Sequence, residues 1–487
     1  MGGGVAGLTA AALLAVRGLK VHLLEKEAKV GGYVTGFRRN GFYFDATSAF
    51  LAACLPGSAF HAILAELGID RHLAFLPIPA IRNVYPGFQL HVDYRSPEAY
   101  VKAVAERFPQ HAAGLAAYAE LTSRVGREFL AFEQARFWQR MLLPFCFPAL
   151  FRYARFSHGA VLRKLFGDDP EVVLALSALP TTLPPSALSY AFVAVLWAKV
   201  LRDGVFYPKG GMVRLSQALE KAVVENGGTV TCGKEIRRME RRTGRATGVR
   251  LQDGSRIEAD WIIGAFNPYQ GERLLQGGGR LYRGMHRLSR YRPASSALLF
   301  YTALPPGSLP KDWPYFVSIC TENDLEANAV SLEQGSLEEG LTMVITTPTV
   351  LDPELAPPGH HSLKVMVHAP RAGLFEGRYG NAAALEGLRE RIFGKIRAAT
   401  GLDLARCALF VETATPMTLM RRTGNEEGAM YGLDAACGQV GPGRPPNRTA
   451  LDNLLWVGHY TRPAHGIVGS ALSGSFAADI LQPRQDK

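Results

Sequence analysis

None of the six cysteines has a near neighbour of its own kind. Cys54, Cys146, Cys232, Cys320, Cys407 and Cys437 are scattered, and no Cys-x-x-Cys pair occurs, so zinc and redox-dithiol chemistry lack a framework. Reduced thiols in a cytoplasmic compartment are the expectation. Long apolar runs are missing too. The longest, around residues 142–151 and 187–198, fall short of the ~18–20 residues that span a bilayer. There is no Gly-x-Ser-x-Gly elbow, no His-Glu-x-x-His helix and no Walker loop. These absences exclude the commonest hydrolase, metalloprotease and P-loop mechanisms. No acid–base pair stands out either.

Acidic residues are in deficit: 54 Lys and Arg stand against 43 Asp and Glu, a net charge of +11. The basic clusters, residues 237–250 and 280–292, sit in no recognisable nucleic-acid motif, so nucleic acid is not an expected partner. An anionic membrane surface remains open, at roughly 1 kcal/mol per Lys or Arg near lipid. So do two plain solvated faces.

What is present begins at the first residues, Met-Gly-Gly-Gly-Val-Ala-Gly. Gly2, Gly4 and Gly7 fit the Gly-x-Gly-x-x-Gly loop of a dinucleotide-binding βαβ unit, in which glycine allows a tight turn, close approach to a pyrophosphate and helix-on-strand packing. An Ala- and Leu-rich helix over 8–17 follows, then Gly18 as its cap, then an apolar run over 19–24 ending at Glu25. An acid at that point suits a ribose diol. The Gly31-Gly32 pair offers a second close approach to phosphate. Such a loop normally follows a central strand, and only Met1 precedes it. The natural reading frame is therefore expected to start upstream, by roughly five to ten residues of strand.

Residues 97–201 are helical in pattern. Within them, 137–156 interleaves aromatic and Leu side chains with Arg140, Arg152 and Arg155. That composition suits a membrane interface, or equally a helix pair lining a core. Lys209-Gly210-Gly211-Met212 leads into an amphipathic helix over 213–226. Strands are predicted at 229–232, 246–251 and 257–266, with a turn at Asp253-Gly254. Further strands are expected at 296–301, 315–318, 342–347 and 362–368, and a helix at 382–400. Finally, a strand over 453–457 enters the turn Gly458–Ser470, and a helix is expected from 471. Strand, glycine-rich turn and helix N-terminus again make an anion-seeking device.

Together and in order, the N-terminal loop with Glu25, Gly31-Gly32, the Lys-Gly-Gly-Met segment and residues 457–475 resemble the FAD-dependent phytoene desaturase, carotenoid isomerase and retinol saturase group of the amine-oxidase-like flavoproteins. The resemblance implies an α/β fold: a Rossmann-like FAD-binding domain, an α+β substrate domain with a mixed sheet, and a helical cap. The chain divides accordingly into FAD-binding parts at 1–96, 205–270 and 425–487, a cap at 97–204 and a substrate domain at 271–424. Gly2, Gly4 and Gly7 would meet the FAD diphosphate, Glu25 the adenosine ribose, and Gly31 and Gly32 the diphosphate again. Thr35 would lie near the flavin side and the Ile236 backbone at the adenine. Gly458, Gly466, Ile467 and Val468 would lie along the isoalloxazine. A positive helix end there favours the reduced, anionic flavin.

The turn departs from its relatives at His459 and His465, which are candidates to tune the flavin or touch substrate, or are simply turn residues. The implied activity is redox chemistry on C–C or C=C bonds of an apolar polyisoprenoid, by a protein expected in the cytoplasm, with peripheral contact at the inner face of the membrane left open. No motif names the electron acceptor, and no metal is implied. Two other readings stay open: a flavin amine oxidase with a polar substrate, and a prenyl-binding carrier like Rab GDP-dissociation inhibitors.

Overall fold

The computed structural model describes residues 1–93, 97–177 and 183–482. Residues 178–182, Pro180 among them, belong to the expected helical stretch and lie outside the described residues.

The cofactor half is assembled from distant pieces of chain. α1 (Val5–Val16) is Ala- and Leu-rich on every side and buried along almost its whole length, as a helix without a polar face must be. Below it lies a parallel arrangement. Strand His22–Leu24 pairs with Thr229–Thr231, and Ile262–Gly264 pairs with Leu454–Trp456. The backbone of Met1 and Gly2 bridges the two pairs. Gly2 N–H donates to Leu24 O at 2.8 Å, the Met1 ammonium to Ile263 O at 2.9 Å and Ala265 N–H to Met1 O at 2.8 Å.

The second half is a seven-stranded mixed sheet. Its order is Phe410–Ala414, Ser296–Leu304, His361–Ala369, Thr342–Thr346, Phe316–Cys320, Ala80–Tyr85 and Phe88–Asp93. Only the Phe316–Cys320/Ala80–Tyr85 pairing is parallel. Strands 80–85 and 88–93, from the end of the segment 1–96, therefore pair into this sheet. They are drawn there by pairing across more than 200 residues, which no local pattern announces.

The cap packs on that edge of the sheet. α2 (Ala112–Gln134) buries Leu115, Tyr118, Thr122, Val125 and Phe129, one helical stripe, against α3 (Tyr190–Asp203) and strands 80–93. Between them, residues 137–156 form three short helices, Phe137–Met141, Leu143–Cys146 and Pro148–Tyr153. Pro144 and Pro148 sit in the first turns of the second and third, where a missing N–H does no harm. α4 (Val213–Glu225) buries Leu215, Leu219, Ala222 and Val223 on one face.

Two expectations need correction. The run 257–266 is not one strand: Arg256–Glu258 joins an antiparallel hairpin sheet, whereas Ile262–Gly264 joins the parallel one. The last helix, α5 (Gly466–Leu481), starts five residues earlier than expected. Its glycines lower helix propensity, but they let it pack against α1, and packing prevails. All six cysteines are free. Basic residues near 237–250 and 280–292 are partly ion-paired: Arg250 to Glu240 at 2.9 Å and Arg292 to Asp434 at 3.5 Å.

Candidate cofactor and substrate site

One cavity of about 850 Å³ collects the predicted residues. Gly2, Gly4, Glu25, Gly31, Gly32, Thr35, Ile236, Gly458, Gly466, Ile467 and Val468 all line it, as do His459 and His465. Gly7 does not. A methyl group there would overlap the Gly2 carbonyl and lie 3.0 Å from Ala265 Cβ, the helix-on-strand packing that the third glycine of such a loop allows.

The first end of the cavity is made by the α1 N-terminus. Gly4 caps the helix with extended backbone and no side-chain hydrogen bond, and a Cβ on Gly4 would meet nothing within 4 Å. Gly32 takes φ +57°, and a Cβ there would press to 3.2 Å from Gly4 Cα. The two glycine segments are joined by Gly31 N–H donating to Gly3 O at 2.8 Å. Glu25 is buried beside them. Its Oε2 accepts from Gly3 N–H at 2.6 Å and its Oε1 from Glu27 N–H at 2.9 Å. Each oxygen keeps a lone pair for a further donor.

The second end is the α5 N-terminus, whose first three residues are Gly466, Ile467 and Val468. The preceding turn is held from behind. Arg444, buried, donates to Thr461 O at 3.0 Å, Gln439 O at 3.1 Å and His459 O. Ser473 Oγ accepts from Gly458 N–H at 3.1 Å and meets Thr461 Oγ1 at 2.8 Å. Burial, then the Arg444 charge, pushes both His459 and His465 down to about 3, so both imidazoles are neutral. The His465 ring lies between Phe192 at 4.8 Å and Tyr431 at 4.9 Å.

A third wall runs through residues 46–49. All four carbonyls are tied from behind: Ala46 O to Tyr301 Oη at 2.6 Å, Thr47 O and Ser48 O to Lys364 Nζ at 2.7 and 2.8 Å, and Ala49 O to Tyr315 Oη. Beneath them Asp45 accepts from Tyr43 and Tyr207, each at 2.7 Å, and from Met212 N–H at 2.8 Å. Burial raises the Asp45 carboxyl, with Lys364 opposing, and burial lowers Lys364 to about 8. Sequence reasoning missed Lys364, Tyr301 and Arg444. The available signal was a lysine set among Leu363, Val365, Met366 and Val367 in the strand His361–Ala369.

The family model described as flavin containing amine oxidoreductase matches residues 5–481. The chain belongs to this family. Among curated relatives it is 25% identical to 4,4'-diapolycopene oxygenase of Methylomonas sp, over 99% of this chain and 97% of that protein. It is 25% identical to the chloroplastic prolycopene isomerase of Arabidopsis thaliana, over 98% and 81%. It is also 25% identical to the zeta-carotene-forming phytoene desaturase of Myxococcus xanthus, over 99% and 93%. Among solved structures, an oxidoreductase from Methanosarcina mazei superposes with a TM-score of 0.65 at 16% identity, covering 98% of each chain. Putrescine oxidase bound to putrescine gives 0.64 at 16%, covering 99% and 98%. These last two speak for the fold.

This family member is an FAD-dependent oxidoreductase. The residues present fit the cofactor: two helix N-termini open on one cavity, glycines stand where a Cβ would intrude, and a buried carboxylate has spare acceptor capacity.

Proposed function

We propose that the chain acts on C–C or C=C bonds of an apolar polyisoprenoid, a carotenoid or retinoid-like chain, by desaturation, saturation or isomerisation. The observation that carries this reading is the continuity of the cavity. From the glycine loops it runs without a break into a compartment walled by Phe50, Phe192, Leu196, Phe316, Val344 and Met366. Those walls offer dispersion and exclude water, but few hydrogen bonds, so they suit a long hydrocarbon. The relatives named for carotenoid substrates support it.

Bound FAD would supply two-electron exchange with an allylic C–H or a C=C bond. Gly2, Gly4, Gly31 and Gly32 would hold its diphosphate, Glu25 its ribose, and the N–H groups at the start of α5 its ring edge. The chain's own part is positioning. Lys364, Tyr301 and Tyr315 hold the 46–49 wall, and Arg444 holds the turn that carries His459. Both histidines, being neutral, bring no positive charge to this turn.

An amine oxidase would need a free aromatic cage beside the flavin. Phe192 and Tyr431 line the cavity at the turn, and the His465 imidazole packs against both, which weighs against a free cage there. The purified protein is expected to be yellow, with flavin absorbance near ~450 nm. Product analysis with lycopene-type, retinoid and amine substrates then tests the assignment; turnover of amines alone would overturn it.

The finer placement is peripheral contact with an anionic membrane. Among the described residues no helix is long and apolar enough to cross one. Yet Phe145 is 82% exposed, Met141 69% and Trp138 54%, around exposed Arg140, Arg152 and Arg155. Phe147 and Leu150 anchor these helices to Phe129, which lines the cavity. Such an arrangement lets a polyisoprenoid pass between lipid and site.

A further inference from the structure

The apolar compartment contains one charged pair. α3 turns Phe192, Val195, Leu196 and Lys199 toward the cavity, the i, i+3, i+4, i+7 stripe of a single helix face. α2 contributes Phe129 and Glu133, one turn apart. The Phe192 ring touches His465 at the flavin turn. At 1.5 Å rise per residue, Lys199 then stands about 10 Å farther along the same wall.

Neither charge is explained by the fold. Among the described residues, no hydrogen bond or close ion pair engages the Glu133 carboxylate or the Lys199 amine. Only the Glu133 backbone carbonyl is used, accepting from Arg140 Nη2 at 2.7 Å. Burial pushes the Glu133 carboxyl up, with Lys199 and Arg140 opposing. Burial pushes Lys199 down, with Glu133 and Asp203 opposing. The two groups are thus withdrawn from bulk water while remaining open to the cavity.

We propose that Glu133 and Lys199 form a recognition site for a hydroxyl group carried by the isoprenoid, about two helical turns from the flavin turn. This rests on the polyisoprenoid reading of the cavity. A carboxylate only accepts and an ammonium only donates, whereas a hydroxyl does both. An alcohol inserted between them satisfies each. A hydrocarbon terminus leaves both against apolar atoms, and an aldehyde or ketone serves Lys199 alone. A buried pair of this kind gives little stability by itself; discrimination is what it supplies best, because a site built to bond a hydroxyl rejects the analogue without one.

The test uses the flavin-loaded protein and two probes: a linear polyprenol and the hydrocarbon differing from it only by the hydroxyl. Binding is read from perturbation of flavin absorbance. The alcohol is expected to bind about tenfold more tightly or better, the size of one hydrogen bond to a charged group. In the Glu133→Leu/Lys199→Met double variant the preference should vanish while hydrocarbon binding is kept. Glu133→Gln, which preserves shape but leaves a neutral acceptor, should reduce the preference, and it carries the test if the double variant fails to hold flavin. Equal binding of both probes by the parent protein, or a preference that survives these variants, overturns the inference and leaves the polyisoprenoid reading standing. If neither probe perturbs the flavin, both fall together.

Discussion

Gly474 on α5 rests directly on the carbonyl of Ala6 on α1. A Cβ at Gly474 would overlap that oxygen and stand 3.1 Å from Ala10 N. This contact is what brings the two helices close enough for both N-termini to open on one cavity. Gly474→Val must push them apart. Overpacking of this kind costs about 1–3 kcal/mol, so a lower melting temperature is expected together with a reduced flavin-to-protein ratio. A variant that retained full flavin and full stability would show that the helix contact does not set the site.

Glu25 ties the first glycine segment to the chain that follows its own strand, accepting from Gly3 and Glu27 N–H. Glu25→Ala removes both charge-assisted bonds and the acceptor offered to a ribose. At about 1.5–3 kcal/mol for a hydrogen bond to a charged group, FAD affinity should fall roughly 10- to 100-fold. Glu25→Gln, which keeps one acceptor, should fall between. Titration of the apoprotein with FAD, followed by flavin fluorescence, reads the difference; unchanged affinity in Glu25→Ala would remove Glu25 from the site.

Much of the architecture was legible because its signals are local. The helix Ala382–Thr400 and the strands Thr342–Thr346 and His361–Ala369 follow their periodicity almost residue for residue. That Gly2, Gly4, Gly31, Gly32 and Glu25 share one cavity was legible for a different reason: glycines and an acid at this spacing follow a recognisable pattern. What sequence could not yield depends on distant partners. Nothing near Ala80 announces Phe316, and nothing near Thr47 announces Lys364. The start of α5 was obscured because Gly466 and Gly469 read as loop: Gly466 takes φ +79°, and a Cβ on Gly469 would stand 2.5 Å from Ala464 O.

Four desolvated histidines, His158 and His368 buried and His459 and His465 half-buried at the cavity wall, make stability fall on the acid side. Burial holds His158, His459 and His465 down to about 3 and His368 to about 4. The folded protein keeps them neutral, while the unfolded chain takes up protons below about 6.5. The unfolded state therefore binds more protons as pH drops from 6.5 toward 4, and each histidine contributes a loss of about 1.4 kcal/mol per pH unit. Above pH 6.5 they contribute no slope. Urea unfolding between pH 7 and 5 is expected to show this loss, and His158→Gln to reduce it by one histidine's share. Their neutrality also means that kcat/KM should show no imidazolium limb between pH 5 and 8, and His459→Ala and His465→Ala should leave the shape of that profile unchanged.

Lys364 predicts an effect of pH on the alkaline side. Its amine is held down to about 8, below the roughly 10.4 of an unfolded chain. Between those values only the unfolded state keeps the proton, so stability rises with pH across that window. Lys364→Met should abolish the rise. At pH 7 it also leaves Asp45 without its counter-charge and frees the Thr47 and Ser48 carbonyls, a loss of about 3–5 kcal/mol. Adding Asp45→Asn should recover part of it, because the stranded carboxylate is gone. If the double variant is no better than the single one, the two residues are not coupled.

The cap helices over 137–153 allow charge and apolar insertion to be separated. If they rest on an anionic membrane, Arg140, Arg152 and Arg155 contribute through headgroups, at roughly 1 kcal/mol each and screened by salt. Met141 and Phe145 contribute by burying exposed side chains, a term that salt does not weaken. Changing the three arginines to Glu should abolish flotation with anionic liposomes at physiological salt. Changing Met141 and Phe145 to Ser should instead weaken binding to neutral and anionic liposomes alike. The two sets of changes lie on the outer surface, so flavin content should stay at the parent value in both. Equal flotation of parent and arginine variants would reject the electrostatic contact and leave insertion of Met141 and Phe145 to carry the binding, whereas no flotation of the parent protein would reject the membrane contact altogether.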